Sequence, residues 1–442
     1  MSTSSRKKPN QVARADRVVM IALLLHSHEG MDVESSLDEL ARLIETLGGV
    51  VENRMIQKKT RPEPATYIGK GKVEEIKELM IQNDWDVLAV DAEITATQHK
   101  NLEKMLGKRV MDRTGIILGI FSKHARTKEA KNQVELASLE YLSSHLTRRW
   151  THLERQKGGI GMRGVGEKQI ELDRRLIRSR ISRLKSELEH TELDRKMQRM
   201  HRDRFLRVAI VGYTNAGKST LLNALTHSDV VADDRLFATL DSTVRVIDPK
   251  TRPAILLSDT VGFIDKLPHG LVASFRTTLA EAIDADLLLH VVDLSSPSYG
   301  EQMRITDTVL DEIGCKDKPR VLVFNKVDKV PESYLPKLLE RSYVDSVAIS
   351  ALESDGVLKL RQLIYDFFER DMIEMEVTVA YDNALLQSQI YEHSKVIQTE
   401  YRDEGAYFRI RVMRSTANWL GLYEKGSEVE KTRLDSGVPY GF

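Results

Sequence analysis

Disulfide bonds are excluded by the composition, because the 442 residues include one cysteine, Cys315. A secreted disulfide framework needs several cysteines, so the sequence favours a reducing compartment, and we predict the cytoplasm. No histidine lies near Cys315 in the sequence to activate its thiol. We therefore predict that Cys315 is incidental and not a nucleophile.

Long apolar runs are also missing. No stretch approaches the roughly 18 to 20 apolar residues that a membrane-spanning helix needs, so no integral membrane segment is predicted. Residues 18–25 are apolar and follow a basic start, as in a signal peptide, but Asp16 interrupts the basic flank and no small-x-small cleavage site follows. A buried first strand is the better interpretation of this run.

Extreme composition is absent as well. Hydrophobic residues make up 41% and charged residues 30%, with 25 glycines and 11 prolines, which is typical of a globular protein rather than a disordered or collagenous one. At roughly 100 to 200 residues per domain, the length predicts about three domains.

The overall charge is zero, with 66 basic and 66 acidic residues, but the charge is unevenly distributed. Residues 123–207 contain about 22 Lys and Arg against about 12 Asp and Glu. A segment that faces nucleic acid and a solvated helical surface both explain this local excess.

The apolar pattern predicts a multidomain α/β protein. Strand and helix patterns alternate over residues 18–111, which indicates a parallel sheet. Gly69 and Gly71 precede a helix in that region, and a tight turn is favoured there over a phosphate site. The predicted domains are an N-terminal α/β domain at 1–125, a basic helical hairpin at 126–204, a G domain at 205–372 and a small α+β domain at 373–442.

In the last of these domains, the pattern predicts a strand at 377–381, a helix at 384–400 and a strand at 407–413.

The hairpin consists of two predicted helices, 127–150 and 167–202, with five glycines among residues 158–166 at its tip. A flexible hinge and a tip that inserts into RNA both account for so many glycines, and the neighbouring arginines favour RNA. The predicted RNA contacts are Arg155, Lys157, Gly158, Gly159, Gly161, Arg163, Gly164, Gly166, Arg174, Arg175 and Arg178.

A phosphate-binding motif follows the apolar strand at 208–211. Gly212-Tyr-Thr-Asn-Ala-Gly217-Lys218-Ser219 matches G-x-x-x-x-G-K-[ST] between a strand and a helix, and therefore predicts a P-loop. Backbone N–H groups of such a loop wrap the phosphates, Lys218 reaches the β- and γ-phosphate oxygens, and Ser219 ligates Mg²⁺.

Three later motifs follow predicted strands in the order that a GTPase requires. Asp259-Thr-Val-Gly262 places a carboxylate that holds Mg²⁺ through water and an N–H group for the γ-phosphate. In Asn325-Lys-Val-Asp328, the last carboxylate selects guanine, because adenine lacks the matching pair of donors. Ser350-Ala351 supplies the backbone donor for the guanine oxygen.

Two positions near the phosphates affect hydrolysis. Phe263 occupies the place of the water-orienting glutamine of Ras-like enzymes, so we predict slow intrinsic hydrolysis that another group or a partner completes. Asn215 resembles the asparagine with which potassium-activated GTPases ligate K⁺, and K⁺ is therefore expected as an activating ion. Spacing alone does not decide whether Thr239 or Thr243 is the Mg²⁺-binding threonine of switch I.

The motifs together closely resemble those of the HflX family of ribosome-associated GTPases, over nearly the whole chain. The resemblance rests on Arg148-Arg-Trp-Thr-His-Leu-Glu-Arg-Gln-Lys-Gly-Gly-Ile-Gly-Met-Arg-Gly-Val-Gly-Glu167, on the P-loop and on Phe-Ala-Thr-Leu-Asp at 237–241. Val165 and Lys168 replace the proline and threonine of the family's usual Gly-Pro-Gly-Glu-Thr-Gln tip.

The resemblance implies site residues and partners. It implies that Thr239 ligates Mg²⁺ and acts in catalysis with Lys218, Asn215 and Gly262. It also implies that the glycine-rich tip reaches the peptidyl-transferase region of the large ribosomal subunit. The complete set of predicted nucleotide-binding residues is Gly212, Tyr213, Thr214, Asn215, Ala216, Gly217, Lys218, Ser219, Phe237, Ala238, Thr239, Leu240, Asp241, Asp259, Thr260, Val261, Gly262, Asn325, Lys326, Val327, Asp328, Ser350, Ala351 and Leu352.

Two functions remain open at this level. The first is a monomeric translation factor with ribosome-stimulated GTPase activity that binds the 50S subunit and splits stalled 70S ribosomes under stress. The second is a 50S assembly or binding factor in which hydrolysis only drives release. A tRNA-modifying GTPase fits less well, because the carrier-binding domain and terminal catalytic cysteine of such enzymes are absent from the sequence.

Overall fold

The computed structural model describes residues 15–25, 33–149, 175–191, 205–226, 236–237, 243–266, 279–332, 334–424 and 426–428. The chain divides into two compact units. Unit 1 consists of Met1–Glu189, Arg235–Ala238 and Lys266–Phe275, and unit 2 of His190–Asp234, Thr239–Asp265 and Arg276–Phe442. None of the helices in the described part of the chain combines the length and apolar character needed to cross a membrane.

Unit 1 contains a four-stranded parallel sheet with strand order β2-β1-β3-β4. Of its two middle strands, Val87–Val90 is buried throughout and Arg17–Leu25 is buried over residues 18–22, as the continuous apolar runs predict. The strands are β1 (Arg17–Leu25), β2 (Val50–Lys59), β3 (Val87–Val90) and β4 (Arg109–Asp112), and the connecting helices are α1 (Val33–Leu47), α2 (Lys70–Gln82) and α3 (Ala96–Leu106).

A fourth helix of unit 1, α4 (Arg113–His124), was not indicated by the sequence pattern, which predicts no element there. Asp112 caps it, because its Oδ1 accepts a hydrogen bond from the Gly115 N–H at 2.8 Å. The helix is apolar on most of its sides, so it lacks the amphipathic period by which a helix is recognised.

The hairpin is represented by α5 (Lys128–Arg149) and by a helix at residues 175–191, α6. Side-chain contacts join the helices: Arg180 forms two 2.7 Å hydrogen bonds to Glu135, Asn132 donates to Glu187 at 3.1 Å, and Lys185 pairs with Glu140 at 2.9 Å. The glycine-rich tip, 158–166, lies outside the described residues.

Unit 2 contains a six-stranded sheet and a four-stranded sheet. The first has strand order β10-β9-β8-β5-β7-β6 and is parallel except for β6, which runs antiparallel to β7. Its strands are β5 (Leu206–Gly212), β6 (Thr243–Val246), β7 (Ile255–Asp259), β8 (Leu287–Asp293), β9 (Arg320–Asn325) and β10 (Ser346–Ala348). Its helices are α7 (Lys218–Thr226), α8 (Ala280–Asp284), α9 (Tyr299–Glu312), α10 (Leu335–Ser342) and α11 (Ser354–Asp371). The predicted α/β fold class is confirmed.

The second sheet of unit 2 is antiparallel, with strand order β12-β13-β11-β14. Its elements are β11 (Met372–Val379), α12 (Ala384–His393), β12 (Lys395–Arg402), β13 (Gly405–Met413), α13 (Arg414–Trp419) and β14 (Gly426–Glu428). The predicted helix 384–400 is therefore wrong in its second half. The apolar residues in this segment have helix-like spacing, which is why the pattern predicts a helix. The segment is a strand because its β-branched residues favour that conformation and because it pairs with β13.

Candidate nucleotide-binding site

The predicted P-loop lies between the end of β5 and the start of α7, and two glycines shape it. A Cβ added to Gly212 would lie 2.2 Å from the Val291 carbonyl oxygen, and one added to Gly217 would lie 2.3 Å from Nδ2 of Asn325. Gly217 and Asn215 also have positive φ angles of 92° and 58°. Only glycine fits the two close approaches, so the motif's glycines are required by contacts with β8 and β9.

Lys218 is buried at the first position of α7. Its Nζ donates hydrogen bonds to the carbonyl oxygens of Tyr213 at 2.8 Å and Gly212 at 3.2 Å. Burial lowers the pKa of Lys218 to about 8, although the nearby Asp259 opposes the shift. Two carbonyl groups of the loop therefore hold the ammonium group against the loop backbone.

Ser219 and Asp259 are brought together from α7 and β7. The Ser219 hydroxyl donates to Oδ2 of Asp259 at 2.7 Å, and Asp259 is 1% exposed at the end of its strand. A hydroxyl and a carboxylate oxygen are ligand types that Mg²⁺ prefers, so these two residues fit a magnesium site.

The segment after Asp259 pairs with the P-loop backbone. Thr214 N–H donates to the Phe263 carbonyl at 2.7 Å, and Phe263 N–H donates to the Gly212 carbonyl at 3.1 Å. The Phe263 side chain is 2% exposed and packs in an apolar cluster with Ala209, Val211 and Leu288. At the position of the Ras glutamine, this chain therefore has a core side chain.

The guanine motif is also connected to the P-loop. Asn325 donates to the Ala216 carbonyl at 2.8 Å and accepts from the Ala351 N–H at 3.0 Å. Lys326 Nζ donates to the Asn215 carbonyl at 2.7 Å. Asp328 is exposed in a 3₁₀ turn, Val327–Lys329, where its carboxylate is accessible to a base.

Two contacts of the site were not predicted from sequence. Asp293, the last residue of β8, accepts from Lys326 Nζ at 2.7 Å. The Tyr213 hydroxyl accepts from the Asp265 N–H at 2.7 Å. The position of Asp293 at the carboxyl end of a buried strand was the available signal, since ligand-binding side chains collect there.

Other predicted site residues belong to unit 1 or lie outside the described residues. Phe237 is buried in unit 1, with its ring centroid 4.6 Å from that of Phe121. Arg175 and Arg178 are exposed on α6. The predicted residues outside the described part of the chain are Ala238, Thr239, Leu240, Asp241, Arg155, Lys157, Gly158, Gly159, Gly161, Arg163, Gly164, Gly166 and Arg174.

Replacing Gly262 with alanine is expected to lower GTP turnover about tenfold to a hundredfold, because catalytic geometry tolerates little displacement. The added Cβ would lie 2.9 Å from both Lys218 Nζ and the Cα of Thr214, so the loop must move. Steady-state phosphate release measures the effect, and GDP affinity is measured in parallel.

Gly300→Ala is the matched control, because a Cβ at this position of α9 meets nothing within 4 Å. Its turnover should equal that of the unmodified chain. If Gly262→Ala also retained normal turnover, the close approach between Gly262 and the P-loop would not matter for hydrolysis.

Three family models match consecutive parts of the chain. Residues 34–122 match a model described as GTP-binding GTPase N-terminal, residues 124–202 the GTP-binding GTPase middle region, and residues 207–326 a 50S ribosome-binding GTPase. The third match includes the P-loop and the first two residues of the guanine motif, Asn325 and Lys326.

Curated proteins and solved structures are also similar to this chain. GTPase HflX of Magnetococcus marinus is 42% identical over 425 residues, which cover 95% of this chain and 96% of the relative. GTPase HflX of Escherichia coli (strain K12) is 39% identical over 406 residues, covering 91% and 95%. A GTP-binding protein from Sulfolobus solfataricus, solved in complex with GDP, is 27% identical, with 79% and 97% coverage and a TM-score of 0.42.

Proposed function

Because this chain belongs to the HflX family of GTPases, we propose that it binds the 50S ribosomal subunit and splits or rescues stalled 70S ribosomes under stress. Hydrolysis of GTP accompanies this action, and the protein works as a cytoplasmic monomer. The observation that carries the proposal is the match of residues 207–326 to a model described as a 50S ribosome-binding GTPase.

The geometry supports specific roles for the site residues. Lys218 binds the β- and γ-phosphates, the Gly262 N–H meets the γ-phosphate, and Asp328 reads guanine. P-loop GTPases generally use Mg²⁺, which Ser219 and Thr239 would ligate directly and Asp259 through water, and which neutralises phosphate charge. Asn215 would place K⁺ at the phosphates and so supply the positive charge that an arginine finger provides in other GTPases.

The buried position of Phe263 supports slow hydrolysis by the protein alone. Its ring packs in the core, so it orients no water molecule. A group from the ribosome would then orient the attacking water, and K⁺ would help to stabilise the charge of the transition state. This arrangement makes turnover depend on binding to the correct partner.

The exposed arginines of α6 support contact with ribosomal RNA. Arg175 and Arg178 lie on the described part of the hairpin, in the region with excess positive charge. Exposed cations of this kind bind phosphate groups, and their contribution weakens as salt increases. We propose that the glycine-rich tip beyond them reaches the peptidyl-transferase region.

We expect 50S subunits to stimulate steady-state GTP hydrolysis at least about tenfold, and more strongly in K⁺ than in Na⁺ buffer. The double variant Arg175→Ala/Arg178→Ala should retain basal turnover but require more 50S for half-maximal stimulation. A plot of log affinity for 50S against log salt concentration should also be less steep for this variant. Its slope should decrease by about two, one for each phosphate group that the missing arginines would neutralise.

A second double variant, Lys337→Ala/Arg341→Ala, removes the same charge from exposed positions on α10 and should behave like the unmodified chain. No stimulation by 50S or 70S particles, with GDP binding intact, would contradict the proposed partner. Equal hydrolysis rates in K⁺ and Na⁺ buffers would contradict the proposed role of K⁺ but not the proposed partner.

Light scattering of 70S particles distinguishes splitting from the alternative function. The proposal predicts a fall in scattering with GTP. If a non-hydrolysable analogue also supports splitting, hydrolysis would serve to release the protein from the 50S subunit. No splitting with either nucleotide, together with strong 50S binding, would favour a 50S assembly or binding factor.

A further inference from the structure

A cavity of about 560 Å³ opens in unit 2, away from the P-loop. It lies between the turn that joins β6 to β7 and the region where α11, α12 and β12 approach each other. Its apolar floor includes Leu206, Ile255, Phe368 and Met372, all buried. None of the predicted nucleotide-binding residues lines it.

The cavity carries an excess of positive charge. Its wall contains Lys250, Arg252 and Lys395 but one acidic residue, Glu369, which pairs with Lys395 at 2.5 Å. Arg252 donates to the carbonyl oxygens of Pro249 and Thr251 in its own turn, at 2.5 and 2.9 Å. Among the described residues, neither Lys250 nor Arg252 has a carboxylate partner, so both cations are available to an anion.

Two tyrosine rings line the same cavity. Tyr391 lines the cavity and is 45% exposed, while its ring is held edge-on against Phe408 with centroids 5.4 Å apart. Tyr365 is held by a 3.1 Å hydrogen bond between its hydroxyl and Thr251 Oγ1. A half-exposed ring in the same cavity as two cations offers a stacking surface for a base whose phosphate is neutralised by those cations.

We propose that this cavity binds a nucleotide, with its phosphate beside Lys250 and Arg252 and its base against Tyr391 and the apolar floor. The volume lies in the range of small-molecule sites, roughly 300 to 1,000 Å³. An inorganic anion would leave the floor without a contact, and an apolar ligand would leave two cations uncompensated. A free nucleotide and a nucleotide of RNA share this chemistry.

Calorimetric titration of the full chain, kept in excess GDP and Mg²⁺ so that the P-loop site is occupied, tests the proposal. The probes are adenosine 5′-monophosphate, a single-stranded RNA tetranucleotide and inorganic phosphate. Binding of either nucleotide probe should weaken at least about tenfold in Lys250→Ala/Arg252→Ala, because this variant lacks both charged donors to the phosphate. The Lys337→Ala/Arg341→Ala control should bind normally. If adenosine 5′-monophosphate binds more tightly than the tetranucleotide, the occupant is a free nucleotide. If the tetranucleotide binds more tightly, the occupant is RNA.

Two further variants test the stacking contact. Tyr391→Ala should weaken binding severalfold, whereas Tyr391→Phe keeps the ring and should bind normally. The proposal is wrong if neither nucleotide probe binds, if the Lys250→Ala/Arg252→Ala variant binds as well as the control, or if inorganic phosphate binds as tightly as the monophosphate. Thermal unfolding of each variant is recorded first, and the exposed positions of Lys250 and Arg252 lead us to expect unchanged stability.

Discussion

Lys218→Met should lower GTP turnover at least about a hundredfold, the loss typical of removing one donor that stabilises transition-state charge. Lys218 is buried, and its ammonium group is held by two P-loop carbonyl oxygens. Methionine has a similar length but carries no charge and donates no hydrogen bond, so the β- and γ-phosphates would lose their principal cation.

Single-turnover hydrolysis at saturating GTP separates this loss from weaker binding, which a GDP titration measures. Lys318→Met is the matched control. Lys318 also donates to a backbone carbonyl, that of Ala285 at 2.7 Å, but belongs to none of the motifs. Its turnover should stay within about twofold of the unmodified chain, because surface substitutions away from a site have small effects. A folded Lys218→Met variant with normal turnover would exclude the proposed role of this lysine.

Arg113→Met should reduce the stability of unit 1 by about 3 kcal/mol, because it breaks two buried ion pairs, although Asp91 keeps its contacts with Lys266 at 2.9 Å and Ser36 at 2.6 Å. Arg113 is 1% exposed at the start of α4, donates to Asp91 at 2.6 Å and also pairs with Glu39. Methionine preserves much of the side chain's volume, so the expected loss comes mainly from the lost ion pairs and not from a cavity.

Hydrogen exchange of the β1 and β3 amides reports this change within unit 1, and the amides should exchange at least about a hundredfold faster. Arg109→Met is the control on the adjacent strand. The Arg109 side chain is 60% exposed and pairs with Asp16 at 3.1 Å, so its loss should cost less than about 1 kcal/mol. Equal protection in both variants would show that the buried ion pairs contribute no net stability.

Local patterns were sufficient to predict the P-loop and the parallel sheet of unit 1. The residues Gly212 to Ser219 are contiguous, and the strand before them is a simple apolar run. Strand ends in a parallel sheet meet at one edge, which explains why the sequence could predict that Asp259 and Asn325 lie beside the P-loop, where they contact Ser219 and Ala216. The same reasoning failed for β12, whose strand conformation depends on pairing with β13.

Contacts between distant residues required the tertiary structure. The spacing of the motifs does not show that Asn325 donates to the Ala216 carbonyl, 109 residues away, or that the Phe263 ring packs in the core. It also does not show that Arg113 is buried against Glu39 and Asp91. Residue type and short spacing determine which groups are available for phosphate and guanine binding, because these properties are local. The packing of strands and helices decides which of these groups meet. Residues that are far apart along the chain can be either close or distant in space, so the sequence separation does not determine their contacts.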